Sequence, residues 1–242
     1  MKDDAAIGDP ECPLCYGVGY VTEHHPIESD QFGKVFACEC RAQEIAEAAE
    51  QATALLPSEQ SITLDSLIAR GGYTKIMVEE VKRFAEKPYG MITLWGGPGN
   101  GKTISLMALT NHFKKQFPAQ SRYVRFKDLI DYIRAGNAPD ASEDAIARYE
   151  QMKHMRFLAI DELEKVRDTK YAYEFRSAFL DDRYRYARER DENSRLYTAF
   201  AMNSDPLSLP DHIYDRLQWG RNTPDGFRII QNKDSSARPA GL

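Results

Sequence analysis

Apolar residues along this chain follow two rhythms. Met91-Ile92-Thr93-Leu94-Trp95, Tyr123-Val124-Arg125-Phe126, Phe157-Leu158-Ala159-Ile160, Leu196 to Met202 and Phe227 to Ile230 are short, mostly apolar runs. Runs of this length bounded by turn-forming or charged residues read as buried strands. Between them the period lengthens to that of a helix. Thr74 to Lys87 is amphipathic, with Ile76, Val78, Val81, Phe84 and Ala85 as its apolar set. Ile104 to Phe117 is helical until Pro118 ends it. Asp128–Arg134 and Glu143–Lys153 are helical on either side of a turn at Gly136 to Pro139. A longer helix covers Lys170 to Glu189, and a short one His212–Leu217.

Strands that alternate with helices imply a parallel sheet covered on both faces. The expected fold class is therefore α/β, a five-stranded parallel sheet between helices. Ligands of such sheets bind beyond the carboxyl ends of the strands. The first part of the chain is different. Residues 1–42 are turn-rich and hold every cysteine, and Arg41 to Leu56 is rich in Ala, Glu and Gln, which favour helix. Pro57 and Ser58 stop that helix. The expected division is a small module over 1–42, a helical linker over 43–60 and the α/β domain over 61–242.

Composition narrows the function classes. The chain has 242 residues, 42% of them apolar and 29% charged, a soluble globular composition. No apolar run approaches the roughly 20 residues of a membrane span. Met1-Lys2-Asp3-Asp4 is followed by no apolar signal segment, so the expectation is a cytoplasmic protein without a membrane partner. A net charge of −5 argues against a whole-surface nucleic-acid binder but allows a local basic groove.

Gly96-Gly97-Pro98-Gly99-Asn100-Gly101-Lys102-Thr103 matches G-x-x-x-x-G-K-[ST] between a predicted strand and a predicted helix. The glycines let backbone N–H groups converge on phosphate oxygens, and the helix adds the positive end of its dipole. Gly97, Pro98, Gly99, Asn100, Gly101, Lys102, Thr103 and Ile104 are the expected nucleotide-binding residues. Lys102 would reach the β- and γ-phosphates of ATP and Thr103 would ligate Mg²⁺.

The strand Phe157–Ile160 runs into Asp161-Glu162. Asp161 is the second expected Mg²⁺ residue and Glu162 the group that polarises the attacking water. Asn203, which ends the strand Leu196–Met202, would orient that water or sense the γ-phosphate. It is equally well placed to open the turn Asn203-Ser204-Asp205-Pro206. Arg216 would neutralise transition-state charge on a neighbouring subunit's ATP. Arg221 is a rival for that role, and Arg238 a candidate for contact with phosphate in its own subunit.

Taken together these residues resemble the AAA+ ATPases, and more closely the DnaC/DnaI-type replicative helicase loaders. The resemblance rests on Leu94 to Thr103, Ile160-Asp161-Glu162-Leu163, Asn203-Ser204 and Asp211–Leu217. It implies that Asn203 is a sensor, that Arg216 is an arginine finger, and that the chain self-associates through its AAA+ domain. Too little sequence follows Gln231 for a full C-terminal helical lid, which loaders of this type also lack. The transposition helper ATPases of the IstB type share the same core motifs.

Cys12-Pro13-Leu14-Cys15 followed by Tyr16-Gly17-Val18-Gly19 is similar to a zinc knuckle, and Cys38-Glu39-Cys40 supplies a second pair. Cys12, Cys15, Cys38 and Cys40 would form a closed, structural Zn²⁺ site, with His24 and His25 as alternative ligands. In the loaders such a module grips the helicase. The region between the second and third strands contacts single-stranded DNA in loaders and initiators. Here Lys127, Arg134 and Lys153 are its cations, and Phe126 and Tyr132 would stack on bases. Arg183 to Arg190 interleaves with acids and reads as a mixed-charge helix suited to a subunit contact. The leading expectation is an ATP-dependent loader of a replicative hexameric DNA helicase, binding single-stranded DNA. An IstB-like transposition helper, a small-molecule kinase and a nucleotide-binding adaptor without turnover remain the alternatives.

Overall fold

The computed structural model describes residues 7–22, 24–29, 32–69, 71–137, 142–165, 170–189, 191, 193–220 and 226–236. Arg221 and Arg238 lie outside the described residues, as does the side chain of Tyr132. The chain forms two compact units, divided between Ala49 and Glu50.

In the first unit, β1 (Tyr20–Thr22) pairs antiparallel with β2 (Val35–Ala37), Tyr20 opposite Ala37. Helix α1 (Ala42–Thr53) follows, and the division between the units falls within it. This hairpin was not legible in the sequence, because three-residue strands with one half-buried residue each are too short to carry a hydrophobic period.

The second unit contains α2 (Gly72–Glu86), β3 (Met91–Gly96), α3 (Lys102–Gln116), β4 (Ser121–Arg125), α4 (Phe126–Asn137) and α5 (Glu143–Lys153). It continues with β5 (Phe157–Asp161), α6 (Lys170–Ala187), β6 (Tyr197–Met202), α7 (Asp211–Leu217) and β7 (Arg228–Asn232). The five strands β3 to β7 form one sheet in the order β4-β5-β6-β3-β7, every pair parallel.

Alternation sorts the strand residues between two cores. Phe157 and Ala159 of β5 face α2 and α3, joining Val81, Phe84, Leu106 and Phe113. Leu158 and Ile160 face the opposite side, joining Leu129, Phe179, Leu180 and Ile213. β6 repeats this, with Ala199 and Ala201 on one side and Phe200 and Met202 on the other. Each of these large apolar chains is almost wholly removed from water, worth roughly 1.5–3 kcal/mol apiece. Helix α3 touches the sheet and α2 at once, so Leu106, Met107, Ala108 and Leu109 are all buried. Its stripe is broad because the helix is sandwiched.

Two expectations are corrected here. Phe126 begins α4 instead of ending a strand, and it is 1% exposed in the core. A ring packed there cannot stack on a base. Arg183 is not a surface residue of a mixed-charge helix, since it is fully buried. Its guanidinium donates to Met155 O at 2.6 Å, Tyr197 O at 2.7 Å, Thr198 Oγ1 at 3.0 Å and Lys153 O at 3.3 Å. Burial, with no carboxylate partner among the described residues, lowers its pKa to about 9, so it stays charged at neutral pH. It staples the end of α5 to β6 by hydrogen bonds.

Candidate functional site

The carboxyl ends of β3, β5, β6 and β7 bring the sequence-selected polar residues to one edge of the sheet. At the end of β3 the chain must turn sharply. Gly96 has φ 135°, and a Cβ there would lie 1.9 Å from Asn232 O. No larger residue fits that approach. Gly97, in contrast, has open space where a Cβ would be. Gly99 and Gly101 take φ 77° and 91°, conformations that cost an L-residue roughly 1–2 kcal/mol. Gly101 then caps α3 and Lys102 is its first residue.

Lys102 is 6% exposed and folds back over the loop. Its ammonium donates to Gly96 O at 2.7 Å, Gly97 O at 2.7 Å and Asn100 Oδ1 at 3.0 Å. These bonds satisfy the charge inside the loop, and they are the ones phosphate oxygens would replace. Thr103 donates its hydroxyl to Asp161 Oδ2 at 2.7 Å. The same oxygen accepts the Tyr123 hydroxyl at 2.9 Å, while Oδ1 accepts the Glu162 N–H at 2.8 Å. Three donors thus fix the Asp161 carboxylate, which is 6% exposed. Burial, then the Asp161 charge, pushes the Tyr123 phenol well above its ordinary pKa, so it remains a donor.

Glu162 takes φ 57°, a left-handed conformation uncommon outside glycine. Its carboxylate pairs with Lys165 at 2.5 Å. Asn203 is held by Glu164, whose Oε1 accepts the Asn203 N–H and its side-chain amide, each at 2.9 Å. The structure therefore brings Lys102, Thr103, Asp161, Glu162 and Asn203 to one strand-end edge. Arg216 stands apart from it on α7, paired with Asp181 of α6 and 5.9 Å from the Tyr184 ring centroid.

Sequence reasoning missed four residues. Tyr123 and Glu164 anchor Asp161 and Asn203. Asn232, fully buried, is bonded to Asn100 in the loop, and Asp234 accepts the Thr74 N–H at 2.6 Å at the start of α2. A signal existed for Glu164, the third acid of Asp161-Glu162-Leu163-Glu164. No local pattern marks Asn232, whose partner is 132 residues away. Of the cations expected near DNA, Lys153 is engaged with Asp182 at 3.0 Å, whereas Lys127 is exposed on α4.

In the first unit the Sγ atoms of Cys12, Cys15, Cys38 and Cys40 all lie within 4.8 Å of one another. Cys12 and Cys38 are 3.6 Å apart and Cys15 and Cys40 3.5 Å. A tetrahedral zinc with bonds of about 2.3 Å needs sulfurs about 3.8 Å apart, so this donor set fits it. Neither His24 nor His25 belongs to the group. The hairpin brings the pairs together, and Cys38 N–H donates to Gly19 O at 2.9 Å. Gly17 and Gly19 take φ 86° and 78°, which turns their N–H groups toward Cys15. Burial raises that thiol, but these N–H groups and the Cys40 thiol outweigh it, leaving the pKa at about 7. For Cys40 the Asp9 N–H pulls down, but burial and the neighbouring sulfurs push the pKa up to about 12. Four thiolates so close would repel one another, and a divalent cation would offset that repulsion.

Among the described residues no helix is long and apolar enough to cross a membrane. No protein-family model and no curated protein sequence matches the chain. Solved structures do. The DnaC helicase loader superposes with a TM-score of 0.58 at 14% identity, over 74% of this chain and 100% of that one. DnaI gives 0.54 at 16% identity, over 77% and 95%. The replication initiator DnaA, bound to AMPPCP and single-stranded DNA, gives 0.55 at 18% identity, over 75% and 52%. This chain thus spans about half the length of the DnaA chain it matches. The second unit, with its parallel sheet flanked by helices and its phosphate loop after β3, has the AAA+ fold that these proteins share.

Proposed function

We propose that this chain is an ATP-dependent loader of a replicative hexameric DNA helicase. It binds Mg-ATP in the AAA+ unit, hydrolyses it slowly to ADP and phosphate, and uses the nucleotide state to hold or release its partner. The observation that carries the ATPase reading is the 2.7 Å contact between Thr103 and Asp161. These residues are 58 apart in sequence, and both are needed around one magnesium ion.

In this reading the residues divide the work as follows. Loop N–H groups and Lys102 bind the phosphates, with Lys102 exchanging the Gly96 and Gly97 carbonyls for β- and γ-oxygens. Thr103 and Asp161 hold Mg²⁺, which when bound neutralises charge on the phosphates. Glu162 takes the proton of the attacking water, and Asn203 orients that water. Arg216 acts on the ATP of a neighbouring copy. The Cys₄ site holds a structural zinc, the module over 1–42 docks on the helicase, 43–60 links it, and 61–242 is the ATPase. Exposed Lys127 and Arg134 on α4 contribute to single-stranded DNA binding. The likeness to the DnaC and DnaI structures supports the loader reading over the kinase and transposition readings, as does the clustering of the four thiols.

A pull-down of the full chain on a replicative helicase, with and without ATP, tests the reading. Retention that changes with ATP is expected, and no retention in either state overturns the loader assignment. Separately, Lys102→Ala should lose nucleotide binding. Glu162→Gln should bind ATP normally and turn it over about 10²–10⁴-fold more slowly. Normal turnover by that variant removes Glu162 from its role.

A further inference from the structure

Beside the phosphate loop lies a cavity of about 450 Å³, bounded by the start of α2, Gly99 to Gly101, Ile104 and the residues after β7. Leu67, Ile68, Met77, Val78 and Ile104 give it apolar walls suited to a purine ring. Among the described lining residues, Asp234 is the one charged side chain. Hydrogen bonds from Thr74 hold its carboxyl below the usual range, so it is an acceptor and not a donor.

The two carboxylate oxygens are unequally occupied. Oδ2 accepts the Thr74 N–H at 2.6 Å and the Thr74 hydroxyl at 2.7 Å. Among the described residues, Oδ1 receives one long bond, from the Tyr73 N–H at 3.3 Å. Lone-pair capacity therefore remains on a single oxygen. Adenine presents an amino donor at its six position. Hypoxanthine and guanine present a carbonyl oxygen there, acceptor against acceptor, and could reach Oδ1 only by shifting in the pocket to offer N1–H in its place. Guanine's adjacent N1–H and N2 amino donors would need both carboxylate oxygens, and Thr74 already occupies one.

We propose that Asp234 is the specificity-determining residue of the nucleotide site, selecting adenine by accepting its six-amino group on Oδ1. The proposal rests on the ATP reading above and deepens it. The position of Asp234 is well defined. Its N–H donates to Asn232 Oδ1 at 3.0 Å, and Asn232 is bonded to Asn100 of the loop. The reader of the base and the cradle of the phosphates thus belong to one hydrogen-bonded chain.

Titration calorimetry of the full chain with Mg-ADP, Mg-IDP and Mg-GDP tests this. The wild-type chain should bind ADP at least about tenfold more tightly than IDP or GDP, the worth of one hydrogen bond to a charged acceptor. Asp234→Asn keeps an oxygen for Thr74 and replaces the free oxygen with an amide donor. Its preference for ADP should fall to near unity or invert toward IDP, an effect that loss of the α2 contact alone would not produce. Retention of the full ADP preference by Asp234→Asn overturns the proposal. Equal wild-type affinity for the three diphosphates overturns it without any variant, and leaves the phosphate loop standing as a nucleotide site. Binding of none of the three overturns both.

Discussion

Asn100 in the phosphate loop and Asn232 at the end of β7 exchange hydrogen bonds in both directions. Asn100 Nδ2 donates to Asn232 O and Asn232 Nδ2 donates to Asn100 O, each at 3.1 Å. Both residues are buried, so water cannot replace either bond. The loop is therefore tied to the edge strand and partly organised by it. Asn232→Ala should leave Asn100 O without its side-chain donor and cost roughly 2–3 kcal/mol. Differential scanning calorimetry should show a melting temperature lower by about 5–10 °C. ADP affinity should fall as well, because the loop must then be ordered on binding. A variant that melts normally and binds normally would show the interlock to be dispensable.

Glu164 holds Asn203 through two bonds to one oxygen. The anchor directs the amide at the edge where Asp161 and Glu162 lie. Asn203→Ala should lower turnover on the order of 10–100-fold with little change in ATP affinity. Glu164→Ala should lower it less, since the amide survives without its orientation. The double variant should match Asn203→Ala alone, because both changes remove one unit. Steady-state kinetics of the three variants decide this, and additive losses would separate the two residues.

Much of this site was legible because its chemistry is local. Gly96 to Thr103 and Asp161-Glu162 carry their meaning in adjacent residues, and each follows an apolar run that can only be a buried strand. The order of the sheet was not legible. Nothing in Arg228–Asn232 announces that it pairs with β3, across from β6. Phe126 was misread because a strand and a following buried helix face share apolar residues at their junction. Arg183 was misread because a charged residue in a charged run reads as exposed. Acceptors distant in sequence, the carbonyls of Met155, Tyr197 and Lys153 and the Thr198 hydroxyl, make its burial tolerable.

That burial makes Arg183 a stability element and not a partner contact. Arg183→Met preserves length and apolar stem but strands the carbonyls of Met155 and Tyr197 and the Thr198 hydroxyl. Each acceptor left buried without its donor costs about 1–3 kcal/mol, offset in part because a desolvated charge is removed, so a net loss of stability is expected. Urea denaturation followed by circular dichroism should show a lower midpoint with unchanged slope. A midpoint within error of wild type would mean that removing the desolvated charge offsets the lost bonds, an outcome known for buried ions.

The cysteine cluster gives the clearest separation between the two units. All four thiols lie before Ala49, and every phosphate-loop and strand-end residue lies after Glu50. Elemental analysis of the purified chain should find one zinc ion per chain. Cys38→Ser should reduce that to a small fraction, because Cys38 is 1% exposed and sits 3.6 Å from Cys12. A three-thiolate remnant cannot close the tetrahedron. Since zinc binding in such small modules is folding free energy, the variant and a chelator-treated chain should both lose the hairpin's protection from hydrogen exchange. Retention on the helicase should fall with the metal, while ADP affinity stays within about twofold. A chain that holds no zinc, or a Cys38→Ser variant that holds it fully, would leave the four thiols a reduced cluster with no structural metal.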